Sequence, residues 1–331
     1  MQSLLLDRIG SLRLESTSEP APEAEEVLLQ VSHCAVCRTD AKIWKYGHRD
    51  LILPRIPGHE ICGRVFGSRK RYAVWPGTSC GKCTPCLSGM ENLCRAMRIV
   101  GFHKDGGFAE YVAVPEKSLI AAPDDLPGHL VCMTEPMACA VNGLEQVGAG
   151  QGDRVLIFGA GPVGLMIALA VRSLGAVPFI REINFRRIDQ VKALLDRAEI
   201  RVLADESGLE FDRAINAAAD SATLVDGFSR LKPGGSFCLF SGLIEGAPLP
   251  VSAFNRLHYR QFRLAGAYGC TRLQMVKALG IISEYAEIMG LLIQERISLD
   301  RVPAVLPNIL AGESLKYIIE PDATGCTARN R

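Results

Sequence analysis

Asp153-Arg-Val-Leu-Ile-Phe-Gly159-Ala-Gly161-Pro-Val-Gly164-Leu-Met-Ile-Ala-Leu-Ala-Val-Arg172 decides the fold of this chain. The apolar run Val155 to Phe158 reads as a buried strand, the glycines after it as a tight turn, and the apolar stretch beyond as a helix. Further strands are expected at Val177–Glu182, Ala214–Ala217, Ser236–Phe240 and Phe262–Ala267, with helical segments between most of them. Strands that alternate with helices predict an α/β, doubly wound parallel sheet covered on both faces.

A glycine fingerprint alone is weak, but here it follows a strand, opens a helix and has an acidic residue at the right distance. Gly159 permits the turn, Gly161 lets the backbone approach a pyrophosphate, and Gly164 allows close helix–strand packing. Pro162 and Val163 open the helix, whose N-terminus offers N–H groups and partial positive charge to phosphates. Glu182 lies 18 residues beyond Gly164. A carboxylate there suits the ribose hydroxyls of NAD and repels a 2′-phosphate. Arg181, Arg186 and Arg187 weigh the other way, so NAD is expected ahead of NADP. Pro178 removes a ladder donor and implies an edge-like start to its strand.

Upstream the texture differs. Val27-Leu-Leu-Gln-Val-Ser and Phe108-Ala-Glu-Tyr-Val-Ala-Val read as strands, and residues 1 to about 135 predict an antiparallel, barrel-like domain. Met137 to Val147 suits a helix, broken at Gly148 to Gly152. Nothing from Ala323 to Arg331 shows apolar periodicity, and a frayed tail is expected.

At 331 residues, 48% hydrophobic and 22% charged, the chain has core enough for two domains. A net charge of +1 gives no field for nucleic acid or an acidic membrane. No signal peptide or membrane-length apolar run is evident. Twelve cysteines without a secretion signal then point to a reducing compartment, the cytoplasm.

Four of those cysteines, Cys80, Cys83, Cys86 and Cys94, share one short loop with two residues between the first three and seven before the last. Four thiolates at this spacing close a tetrahedral zinc shell, a structural site with no position for substrate. Disulfides are the weaker reading, because neighbours this near rarely meet disulfide geometry.

Cys37-Arg-Thr39-Asp40, Pro57-Gly58-His59-Glu60 and Thr134-Glu135-Pro136 each have a bland reading alone: core filling, a satisfied histidine, a helix start. Together with the cysteine loop and the glycine fingerprint, in this order, they resemble the zinc-dependent medium-chain dehydrogenase/reductase family. The resemblance extends to Asp105-Gly-Gly-Phe-Ala-Glu-Tyr-Val, Leu231-Lys-Pro-Gly-Gly-Ser and the stretch from Leu299 to Glu320. It implies a GroES-like catalytic domain over residues 1–138 with the zinc lobe at about 80–94, a Rossmann domain over 139–268, and a return to the catalytic domain over 269–331. It also implies two zinc ions per chain. Cys37, His59 and Glu135 would hold the catalytic one, with Glu60 beside it and able to ligate. Asp40 would orient the histidine, and Thr39 would pass on the alcohol's proton. Glu135-Pro136 matches the polyol and threonine dehydrogenase branch.

The expected function is hydride transfer between a secondary alcohol or polyol, sugar derivatives included, and NAD, in a homo-dimer or homo-tetramer. Two alternatives are an NADPH-dependent reductase of a bulky biosynthetic ketone and a non-catalytic zinc-stabilised scaffold. Leu257-His258-Tyr259-Arg260 looks similar to hexitol-phosphate dehydrogenases. His48, Arg49 and His103 could reach a polar substrate or phosphate, or could be solvated loop groups, and Trp44 lines the pocket or merely packs. One departure stands out: only 19 residues, Ile61 to Ser79, separate Glu60 from Cys80, with Gly67-Ser-Arg-Lys-Arg-Tyr in place of the family's glycine-rich turn.

Overall fold

Hydrophobic alternation organises the first part of the chain, as seen in a computed structural model that describes residues 1–204, 208–244, 246 and 249–321. The expected tail from Ala323 lies outside these residues. Two units divide the chain: Met1–Glu135 with the stretch from Thr271 onward, and Pro136–Cys270.

In the first unit β1 (Gln2–Arg8) and β2 (Ser11–Ser16) form an antiparallel ribbon. Next come β3 (Glu26–Ala35), α1 (Arg38–Tyr46), β4 (Glu60–Val65), β5 (Arg71–Val74), β6 (Gly77–Thr78), α2 (Thr84–Leu87), β7 (Arg98–Ile99), β8 (Tyr111–Pro115), β9 (Leu119–Ala121) and α3 (Gly128–Val131), followed by α4 (Thr134–Val147), which starts at the end of this unit and runs on into the second. Helix α4 therefore starts three residues before the expected Met137, at Thr134. The shortened segment after Glu60 is an antiparallel β4–β5 hairpin, with Gly63 opposite Tyr72. Its turn carries Gly67 at φ +79°, and Arg71 is anchored to the Leu126 and Asp124 carbonyls.

The second unit holds β10 (Arg154–Phe158), α5 (Pro162–Ser173), β11 (Val177–Arg181), α6 (Phe185–Arg197), β12 (Arg201–Val202), β13 (Phe211–Asn216), α7 (Ala222–Arg230), β14 (Leu231–Leu239), α8 (Val251–Tyr259) and β15 (Arg263–Gly266). Its strands are all parallel, in the order β12-β11-β10-β13-β14-β15. That is the doubly wound order, whose switch point falls between β10 and β13. Val155, Leu156 and Ile157 are fully buried, which explains the continuous apolar run. Pro178 pairs with Val155 on β10, while β12 joins only from Phe179 onward, so the missing donor faces no partner strand.

The chain then returns to the first unit through α9 (Arg272–Glu284), α10 (Ala286–Gly290), β16 (Ile293–Ile297), α11 (Val302–Ala311) and β17 (Lys316–Ile319). The main sheet runs β16-β17-β3-β4-β5-β9, with β8 also on β3, and is antiparallel except for the parallel β16–β17 pair. Leu4, Leu29, Val31, Phe108 and Ile319 are among its fully buried core residues.

Candidate active site

Cys37 is the N-cap of α1, and its sulfur accepts the Thr39 N–H at 3.4 Å. Asp40 completes a capping box by accepting the Cys37 N–H on Oδ2 at 2.9 Å. This leaves Oδ1 turned to His59 Nδ1 at 3.3 Å. His59 arrives from the loop before β4. There Gly58 has φ +96°, and a Cβ on it would stand 2.5 Å from the Phe108 ring, so only glycine fits. Gly107 and Phe108 donate backbone hydrogen bonds to Gly58 and Pro57, which gives the Asp105-Gly-Gly-Phe motif a structural task in bracing that loop.

Ligand atoms of Cys37, His59 and Glu60 lie within 4.8 Å of one another. Both Asp40 Oδ1 and His59 Nδ1 are buried without completing a well-directed hydrogen bond. A metal on the far ring nitrogen would fix the imidazole so that Nδ1–H addresses Asp40, so these residues fit a zinc. Burial alone would lower the His59 pKa, but the Asp40 carboxylate outweighs it and holds the ring well above its ordinary value.

Glu60 is not idle. Both its oxygens accept from Lys316 Nζ, at 2.6 and 2.5 Å, and both residues are buried. Burial would lower the lysine's pKa, but the Glu60 charge raises it instead. Glu135 stands in the first turn of α4 and adds to the field on Lys316, but it does not belong to the Cys37–His59–Glu60 group. Lys316 escaped the sequence reading. Its signal was a lysine opening an otherwise apolar, wholly buried strand.

The four-cysteine loop gathers as expected, with all four sulfurs within 4.8 Å of each other. Cys83 Sγ lies 3.4 Å from that of Cys86 and 3.8 Å from that of Cys94. Zn–S bonds of about 2.3 Å in a tetrahedron set sulfurs ~3.8 Å apart, so the cluster has the size of a zinc shell. Backbone amides of Cys86 and Arg95 pull the Cys83 thiol down to about 6, and N–H groups donate to Cys94 Sγ from Cys80 and Ala96.

In the second unit Gly159 has φ +108°, and a Cβ on Gly164 would come 2.0 Å from the Gly159 oxygen. Gly161 has open space above it, bounded by an Arg187 guanidinium nitrogen 4.0 Å from where its Cβ would be. This is a cradle that fits a pyrophosphate. Glu182 accepts the Ala160 and Asn184 N–H groups at 2.8 and 2.9 Å, which holds its carboxylate at the mouth of the turn. Arg181 is paired with Asp226 at 2.6 Å, and Arg186 is exposed. Arg187, largely buried, is the cation at the turn. Trp44 packs partly buried against the core, and Arg260 pairs with Glu210 at 2.8 Å.

Residues 23–124 match the alcohol dehydrogenase GroES-like domain. The chain is 30% identical over 291 residues to D-altritol 5-dehydrogenase of Agrobacterium fabrum, covering 83% of this chain and 86% of that one. It is 30% identical over 226 residues to L-galactonate-5-dehydrogenase of Escherichia coli, covering 66% and 65%. A Sinorhizobium meliloti structure described as a zinc-binding dehydrogenase bound to NADP superposes with a TM-score of 0.87 at 27% identity, over 97% of this chain and 99% of that one. A GroES-like domain joined to a doubly wound dinucleotide domain defines the class. The chain belongs to the zinc-dependent medium-chain dehydrogenase/reductase family and is an oxidoreductase of alcohols or polyols.

Proposed function

We propose that this protein is a zinc-dependent dehydrogenase that transfers a hydride between a secondary alcohol or polyol and NAD. The observation that carries the reading is the convergence of the Cys37 and His59 ligand atoms beside the buried Asp40 carboxylate. Cys37 and His59 would hold a catalytic zinc, with Glu135 as third ligand. Glu60 is restrained by Lys316, and ligation by it would require breaking a buried pair. Bound there, zinc supplies the Lewis acidity that lowers the pKa of an alcohol hydroxyl. Asp40 keeps the His59 ring oriented, and Thr39 would relay the proton that leaves the alcohol, accepting it on its hydroxyl oxygen as its own hydroxyl proton passes outward. The nicotinamide, when bound, supplies the hydride acceptor. The cradle of Gly159, Gly161, Pro162, Val163 and Gly164 would seat its pyrophosphate, and Glu182 the ribose.

NAD is favoured over NADP because Glu182 is anchored at the turn while Arg181 is engaged by Asp226. Arg187 supports phosphate binding in either cofactor. The four-cysteine loop would hold a second, structural zinc. A screen of polyols, sugar acids and short secondary alcohols with both nicotinamides tests the proposal. NAD-linked oxidation of at least one polyol is expected; turnover only in the reductive direction with NADPH would refute it.

A further inference from the structure

Cys139 and Cys270 take no part in the chemistry above, yet their sulfurs lie within 4.8 Å of each other. Cys139 sits in the second turn of α4, and Cys270 is the last residue of the second unit, beyond β15. The chain enters that unit between Glu135 and Pro136 and leaves it between Cys270 and Thr271. The two thiols therefore stand beside its two crossings. Asn142, three residues after Cys139 and on the same side of α4, is buried, and its Nδ2 donates to the Gly269 carbonyl at 2.9 Å. This bond ties the segment that carries Cys270 to the helix that carries Cys139. An S–S bond is about 2.05 Å long, so the sulfurs must approach by less than ~3 Å, within reach of side-chain rotation.

The remaining described cysteines are committed or shielded. Cys80, Cys83, Cys86 and Cys94 form the loop cluster, and Cys37 belongs with His59. Burial pushes the thiols of Cys34, Cys62, Cys132 and Cys238 up, which keeps them protonated and unreactive. Cys139 is only half-buried, whereas Cys270 is 5% exposed. An oxidant thus reaches Cys139 first, and Cys270 is the sulfur at hand to resolve it.

We propose that Cys139 and Cys270 are a redox-sensitive pair that a hydroperoxide closes into a reversible disulfide, slowing dehydrogenation. With hydrogen peroxide the Cys139 sulfur attacks one oxygen, the O–O bond breaks, and the other oxygen leaves with the thiol proton as water. Cys139 is now a sulfenic acid. The Cys270 sulfur attacks it, the S–O bond breaks, and the oxygen leaves with the Cys270 proton as a second water. Two thiols have lost two electrons, and the peroxide has gained them. Glu135 stands one turn before Cys139 on α4, so closure strains the turn that carries it. The effect on turnover rests on the dehydrogenase reading, in which Glu135 is a zinc ligand; formation of the bond does not.

The test treats the zinc-loaded protein with a slight molar excess of hydrogen peroxide and digests it without reductant. One pair of peptides joined through Cys139 and Cys270 is expected, two hydrogens lighter than the separate peptides and parted by dithiothreitol. NAD-linked polyol oxidation should fall about tenfold or more on closure, since small displacements near reacting groups cost that much. It should recover with dithiothreitol. Cys139→Ala and Cys270→Ala should keep turnover at the same dose, with zinc content recorded in each. Peptides that stay separate, or a bond to another cysteine, overturn the pair. A joined pair with unchanged turnover, or equal loss in both variants, overturns the switch. Because the joined peptides are read without substrate, protein that forms the bond yet oxidises no polyol supports the pair and counts against the dehydrogenase reading alone.

Discussion

Glu60 and Glu135 compete for one role, and Lys316 separates them. Lys316 holds both Glu60 oxygens in a buried pair, so Glu60→Gln leaves a buried lysine without its counter-charge. Such a loss costs roughly 3–5 kcal/mol, and a drop in thermal stability is expected. Glu135→Gln should instead lower zinc retention and turnover steeply while changing stability by about 1 kcal/mol or less. Elemental analysis of both variants checks this, and zinc loss confined to the Glu60 variant would contradict the assignment. In the second unit, Glu182→Ala should weaken NAD binding and narrow the gap to NADP, as read by cofactor titration. A wild type that prefers NADP would show that Arg187 outweighs the carboxylate.

Elements were legible where one local rule governed them. Strand β10 is buried on both faces and so reads as a continuous apolar run, and Gly159 after it, at φ +108°, marks a turn that favours glycine. Gly164→Ala would press a Cβ against the Gly159 oxygen, 2.0 Å away. A cost of about 1–3 kcal/mol in urea unfolding and weaker NAD binding are expected. The gathering of the four cysteine sulfurs was equally legible, since all four sit in one short loop. Cys83→Ser should remove the structural zinc and loosen the lobe, raising its susceptibility to protease, because binding energy there is folding energy. What stayed hidden depended on distance along the chain. Lys316 meets Glu60 across 256 positions. Arg187 reaches the glycine turn from α6, and the start of α4 at Thr134 is masked by Pro136, which is well tolerated in a first turn.

Across the whole molecule the two-part plan follows from the change in pattern after Pro136, yet the return of β16 and β17 to the first sheet has no local signature of its own. Folding also builds in a pH dependence at His33, on β3. Burial pushes its pKa down to about 4 from an ordinary 6.5, with Glu320 opposing. The folded state therefore disfavours the proton. The stability tied to this group is fully present above pH 6.5 and is lost as pH falls towards about 4. His33→Gln should flatten that acid limb in denaturation measured against pH.

The central claim is that Cys37 and His59 hold a zinc on which alcohol oxidation depends. Selective removal of that metal with a chelator, followed by zinc replacement, with polyol-dependent NADH formation and zinc content recorded at each step, tests it most directly. The expected course is two zinc ions per chain at the start, loss of turnover with the first to leave while the fold persists, and recovery when zinc returns. Full turnover by protein with no zinc at Cys37 and His59 would contradict it.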